Sequence, residues 1–199
     1  MMTHFFNDLV KIIETIDRKP IGMLLNALEA LQRRDGRLFI LGVGGSAANA
    51  SHAVNDFRKL CDIEAYAPTD NVAELTARTN DEGFETIFVE WLKTSRLSKK
   101  DMVLVLSVGG GNEKKQVSVN LIKALDYAKK TGANTAGIVG RDGGYTAKVA
   151  DICVIIPTVN EYSVTPFVES FQAFIWHFFV FHSSLQVNEG KWEKIVLKK

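Results

Sequence analysis

The chain contains only two cysteines in 199 residues, Cys61 and Cys153, with no CxxC or CxxxH spacing. A disulfide framework and a structural zinc site are therefore not expected, and both thiols read as small buried hydrophobes in a reducing cytoplasm. Long apolar runs are also missing. FIWHFFVF at 174–181 is eight residues long, against the roughly 20 that span a bilayer, so no membrane association is expected. The N-terminus, MMTHFFNDLVKIIE, reaches an acid at residue 8 and offers no signal-peptide core. Charge of one sign is not in excess: 24 Lys+Arg against 23 Asp+Glu give a net +1, which removes any general attraction to nucleic acid. Neither GxGxxG with a carboxylate about 20 residues on, nor GxxxxGK[ST], occurs, so no nucleotide cofactor is expected. No repeat, low-complexity tract or linker divides the sequence, and it reads as a single domain over 1–199.

What is present is an alternation of apolar strands and amphipathic helices. Apolar residues at helical spacing predict helices over 4–16 and 20–34, broken at Pro20. Strands are expected at 37–44, 63–67, 101–111, 135–140 and 151–157. Helices are expected at 46–60, on both sides of a turn at 79–85, at 112–130, briefly before residue 151, and at 166–184. A polar, Lys-rich tail covers 186–199. Continuous apolar strands separated by helices indicate an α/β protein, a three-layer αβα sandwich around a five-stranded parallel sheet, preceded by two helices. Ligands of such sheets sit beyond the carboxyl ends of the strands, where GVGGS (42–46) and SVGGG (107–111) both fall.

The first of these loops places Gly44 and Gly45 before a helix whose leading N–H groups, that of Ala47 among them, lack partners and favour an anion. Ser46 is expected at its N-cap. The second loop pairs Ser107 with Gly109, Gly110 and Gly111, and would bind mainly through backbone N–H groups. Two such loops at one edge suggest a phosphate cradle. His52 and Asp56 share a face of the first cleft helix. They serve either as metal or acid/base groups or as a half-exposed pair that only supports the helix. Glu169, Gln172 and His177 are the strongly polar groups on an otherwise apolar helix opened by Thr165-Pro166; such groups need partners, which a binding site or a backbone carbonyl supplies.

GVGGSAANASH, ELTARTNDEGFETIF, SVGGGN, GIVGRDGG and the polar-spotted last helix, in this order, resemble the sugar isomerase (SIS) domain and within it the phosphoheptose isomerases. The resemblance spans nearly the whole chain, and LTARTNDEGFE is its most specific stretch. It implies a flavodoxin-like SIS fold, with residues 1–35 serving oligomerisation. It also implies a homotetramer with active sites between subunits, so that a residue such as His177 acts on a neighbour's cleft, and a phosphorylated sugar such as sedoheptulose 7-phosphate as substrate. By position, Ser46 and its glycines resemble the first phosphate loop, Ser107 the first hydroxyl of the second, and Asn80 and Asp81 the polar pair at the sugar. His52 and Asp56 take the places of a histidine and a catalytic glutamate that can also hold zinc. Glu169 and His177 match a glutamine and the acid/base histidine eight residues on, although another register puts Trp176 there. The implied zinc ligands are His52, Asp56, Glu169 and His177, and the implied chemistry is enediol proton transfer.

Three departures bear on that expectation. SVGGGN lacks two hydroxyls of the family's SxSxxS loop, Val43 stands where the family has asparagine, and Asp56 is one methylene shorter than glutamate. The thinned hydroxyl loop and the shorter carboxylate favour the alternative reading, a non-catalytic phosphosugar sensor or tetrameric scaffold, whereas His52 and His177 favour catalysis.

Overall fold

A computed structural model describes residues 2–197. Two leading helices, α1 (Met2–Thr15) and α2 (Lys19–Arg33), precede β1 (Leu38–Leu41), α3 (Gly45–Cys61) and the short β2 (Ala65–Tyr66). Helices α4 (Val72–Glu82) and α5 (Ile87–Thr94) lead to β3 (Met102–Ser107), α6 (Val119–Thr131) and β4 (Asn134–Val139). The chain closes with α7 (Gly144–Val149), β5 (Ile152–Ile155), α8 (Val164–Val180) and α9 (Lys191–Leu197). All five strands run parallel in the order β2-β1-β3-β4-β5, the doubly wound arrangement whose switch point lies between β1 and β3.

The two cores follow from strand pleating, which sends alternate side chains to opposite faces. Met102, Leu104 and Leu106 join Leu38 and Ile40 in a core shared with α1, α2, α3 and α8. Val103 and Val105 join Phe39 and Leu41 beneath α5 and α6. β3 is buried along its entire length, which is why its sequence is continuously apolar rather than alternating. At its start Asp101 accepts from the Arg37 backbone and guanidinium and from Ser98 N and Oγ. This ties the entrances of β1 and β3 together.

Several boundaries differ from the sequence reading. α6 begins at Val119 rather than 112, because Asn112 and Val117 exchange both backbone hydrogen bonds (2.9 and 3.0 Å) in a small hairpin. Gln116 and Ser118 take left-handed φ angles of 52° there, which no helix tolerates. α4 continues through Asn80 and Asp81 to Glu82, with the turn at Gly83 (φ 91°). α8 starts at Val164 with Ser163 as its cap, ahead of Thr165-Pro166, and stops at Val180. Part of the expected polar tail forms α9; residues 198 and 199 lie outside the described residues. Among the described residues no helix is long and apolar enough to cross a membrane.

Candidate active site

Both glycine loops open into one cleft of about 860 Å³ at the carboxyl edge of the sheet. Gly44, at φ 63°, turns the chain from β1 into α3, a conformation that glycine adopts without a Cβ penalty. The cap is Gly44, not Ser46. Ser46 lies inside the first turn of α3, 2% exposed, and lines the cleft. The Ala47 N–H donates to Gly44 O at 3.0 Å, so it is engaged rather than open to an anion. Gly45 lies directly under the Glu169 carboxylate, and any Cβ there would collide with it. The positive end of the α3 dipole is thus already faced by an acid from α8.

The second loop is braced from behind. Ser107 Oγ accepts from Gly110 N at 3.0 Å, which leaves the Ser107 proton to be donated elsewhere. Gly110 (φ 68°) packs against the Gly143 carbonyl, and its own carbonyl accepts from Thr146 N and Oγ1 (2.9 and 2.8 Å). Gly110 therefore holds the loop's shape and offers no N–H to the cleft, contrary to the sequence expectation. Gly109 and Gly111 line the cavity.

Further polar groups line it that the sequence reading did not select. Ser118 and Lys115 come from the hairpin, Arg141 and Asp142 from the loop after β4, and Thr158 and Glu161 from the segment after β5. Ser118 returns a hydroxyl to the side of the cleft where SVGGGN lacks one. The available signal for Arg141 and Asp142 was positional, since GRDGG ends a strand at the same sheet edge as the other two loops. Arg141 Nη1 stands 3.9 Å from Glu161 Oε2.

A second constellation forms where α3 and α8 lie side by side. Asp56 Oδ2 is 3.7 Å from His52 Nε2 and 3.8 Å from His177 Nε2. Its other oxygen accepts from Asn55 Nδ2 at 2.7 Å. His177 Nδ1 makes a 2.8 Å bond with the Ala173 carbonyl, which only a protonated Nδ1 can donate and which leaves the Nε2 lone pair free. The three ligand atoms lie within 4.8 Å of one another. Two ligand atoms on a tetrahedral zinc stand roughly 3.3 Å apart, so small rotamer shifts suffice for the trio to hold a metal. His52 and His177 are 56% and 41% exposed, and Asp56 14%, so the trio is open to a ligand. Of the two registers, His177 is the residue that faces Asp56. The Trp176 indole is fully buried, edge-on to His52 at 4.7 Å between ring centroids.

Not every expected residue joins these groups. Glu169, at Gly45, is about 12 Å along α8 from His177 at 1.5 Å per residue, and does not belong to the trio. Gln172 is buried and accepts from Asn49 Nδ2 at 3.0 Å, inside the α3–α8 contact. Asn80 and Asp81 are exposed near the end of α4, with Asn80 Nδ2 donating to Asp81 Oδ1 at 2.7 Å, and neither lines the cleft of its own chain.

The model of the SIS domain matches residues 4–140. The phosphoheptose isomerase of Syntrophotalea carbinolica is 29% identical over 183 residues, 88% of each chain. That of Nitratiruptor sp. is 32% identical over 155 residues, 75% of this chain and 76% of the relative. The solved phosphoheptose isomerase from Neisseria gonorrhoeae superposes with a TM-score of 0.76 at 22% identity, covering 90% of this chain and 94% of that one, which shows a shared fold. A matching domain model over most of the chain, relatives at this identity and coverage, and the doubly wound sheet agree: the chain belongs to the SIS domain family, in its phosphoheptose isomerase-like branch.

Proposed function

We propose that this protein is a cytoplasmic isomerase that interconverts a ketose phosphate, such as sedoheptulose 7-phosphate, with the aldose phosphate. The observation that carries the reading is Asp56 Oδ2 flanked by two imidazole Nε2 atoms. Asp56 removes the proton from the carbon beside the carbonyl and returns it to the neighbouring carbon, while His177 gives and takes the oxygen-bound proton at Nε2. The Ala173 carbonyl holds that imidazole in orientation. His52, Asp56 and His177 would together also fit zinc, which would supply a Lewis acid for the sugar carbonyl; Asp56 Oδ2 and His177 Nε2 would then be its ligands, so metal binding and proton transfer at those two atoms are alternatives. The phosphate occupies the cleft lined by Ser46, Ser107 and Ser118. Two unpaired cysteines suit a reducing compartment.

The geometry also supports a site shared between chains. Ten residues of α3 separate Ser46 from Asp56, about 15 Å at 1.5 Å per residue. A seven-carbon chain with a terminal phosphate reaches only about 9 Å from phosphorus to its carbonyl carbon at roughly 1.25 Å per bond. A site in which one chain's cleft is completed by another chain's trio fits that offset. α8 presents Phe174 and Phe178 outward, with Phe181 following at its C-cap, 67%, 44% and 44% exposed, beside an apolar groove between α8 and the α1–α2 pair. This is a face that association into a homotetramer covers.

The direct test is purified protein incubated with sedoheptulose 7-phosphate, with and without zinc, following formation of the aldose phosphate. Turnover that falls at least about 100-fold in His177→Ala supports the assignment. No turnover under either condition, with phosphosugar binding intact, would instead make the protein a sensor or scaffold.

A further inference from the structure

The hairpin between Asn112 and Val117 follows directly on SVGGGN, the loop that lacks two hydroxyls of the family pattern, and its shape is specified in detail. Asn112 Oδ1 accepts from Lys115 N at 2.9 Å, Gln116 Nε2 donates to the Glu113 carbonyl at 2.6 Å, and Asn112 and Val117 close the base. Gln116 and Ser118 sit at left-handed φ angles without being glycine, a cost that persists only where the surroundings impose it. The outcome is that Lys115 and Ser118 both line the cleft that holds Ser46 and Ser107.

The cleft's charges are unequally matched. Arg141 faces Glu161, and Asp142 Oδ1 accepts from Gly144 N at 3.1 Å. Among the described residues no carboxylate lies within 4.0 Å of the Lys115 ammonium, although Lys93, Lys123 and Lys129 each have one. The two glycine loops of the cleft have fewer anion donors than their glycines suggest, because in the second the Gly110 N–H is held by Ser107 and in the first the Ala47 N–H by Gly44. Serine hydroxyls alone supply donors but no charge to a dianion.

We propose that the hairpin is a phosphate clamp in which Lys115 supplies the cation for the substrate's phosphate, beside the Ser107 and Ser118 hydroxyls. The placement rests on the reading of this cleft as the phosphosugar site. The ammonium compensates, by a charge-assisted hydrogen bond, for backbone N–H groups that the fold has already used.

The experiment measures inorganic phosphate binding by calorimetry, and separately the steady-state kinetics with sedoheptulose 7-phosphate, for wild type, Lys115→Met, Lys115→Arg and Lys114→Met. Lys114 carries the same charge on the same hairpin but does not line the cleft, so its variant controls for the general field. Lys115→Met is expected to weaken phosphate binding and raise KM by about 10- to 100-fold, with kcat changed by less than about two-fold. Lys115→Arg retains most of the affinity, and Lys114→Met stays within about two-fold of wild type in both readouts. Phosphate binding by Lys115→Met equal to wild type, an equal loss in Lys114→Met, or no phosphate binding by wild type each overturns the clamp. A wild type that binds phosphate through Lys115 yet never turns over the sugar leaves the clamp standing and removes the isomerase reading instead.

Discussion

If the trio of one chain completes the cleft of another, two inactive variants must rescue each other. Asp56→Ala removes the base and leaves the cleft intact. Gly109→Asp does the reverse. A Cβ at Gly109 meets nothing nearer than Arg141 Cδ at 3.8 Å, so the backbone accepts the side chain, and its carboxylate enters the space that the phosphate needs. Two like charges at 4 Å repel by about 4 kcal/mol at an effective dielectric of 20, on the order of a 1,000-fold loss of phosphosugar affinity per charge. Each variant alone should fall below roughly 1% of wild-type activity. In randomly mixed oligomers a working site needs its cleft from the Asp56→Ala chain and its trio from the Gly109→Asp chain. Each is drawn with even odds, so about a quarter of wild-type activity returns. The assay is co-expression with two different affinity tags, isolation of oligomers carrying both, and isomerisation of sedoheptulose 7-phosphate. Doubly tagged oligomers no more active than their parents would refute the division, because a site confined to one chain is never complete in any such mixture.

Three further outcomes follow from other parts of the molecule. Purified wild type dialysed against dilute zinc should carry about one metal per chain by atomic emission, and His52→Ala should lose most of it with unchanged circular dichroism; equal metal in the variant removes His52 from the ligand set. Asp101→Ala should destabilise by about 3 kcal/mol, the lower end for a broken buried pair since Arg37 keeps the Ser95 and Arg96 carbonyls, seen as a fall in Tm of roughly 6–12 °C. Burial opposes the Asp101 charge, but hydrogen bonds from Arg37 and Ser98 outweigh it and hold its pKa below the usual value of 3.8. Its contribution is therefore complete above about pH 4 and lost as pH falls through the depressed folded value, so wild type and Asp101→Ala should converge in stability only in strong acid. Phe174→Glu, at the most exposed aromatic of the α8 stripe, should shift the protein to smaller species in sedimentation analysis; an unchanged oligomer would place the interface elsewhere.

Much of the fold could be read from residue patterns because its causes are local or nearly so. The apolar continuity of MVLVLS already implies a strand covered on both faces, and the spacing of Leu24, Leu28 and Leu31 implies a helix buried along one side. The boundary errors fell where a non-local or left-handed feature intervened. Residues 112–118 carry good helix formers, Glu113, Lys114 and Lys115, yet the Asn112–Val117 backbone pair outcompetes the helix there. The site divided in the same way. His52 and Asp56 were legible because they are four residues apart on one helix, whereas the meeting of His177 with them required the parallel packing of α3 and α8.

The sequence by itself determined the alternation of strands and helices, the two glycine turns at strand ends and the residue types needed for proton transfer, all carried by short-range periodicity and chain direction. Only the tertiary structure decided which groups are spent on the protein's own architecture. Gly110 and Ala47 N–H groups are committed to Ser107 and Gly44, Glu169 covers Gly45 instead of joining the histidines, and Lys115 reaches the cleft from a hairpin. Hydrogen-bond partners and buried charges are settled by atoms far apart in sequence, and a one-dimensional pattern records which donors exist but not which of them remain available.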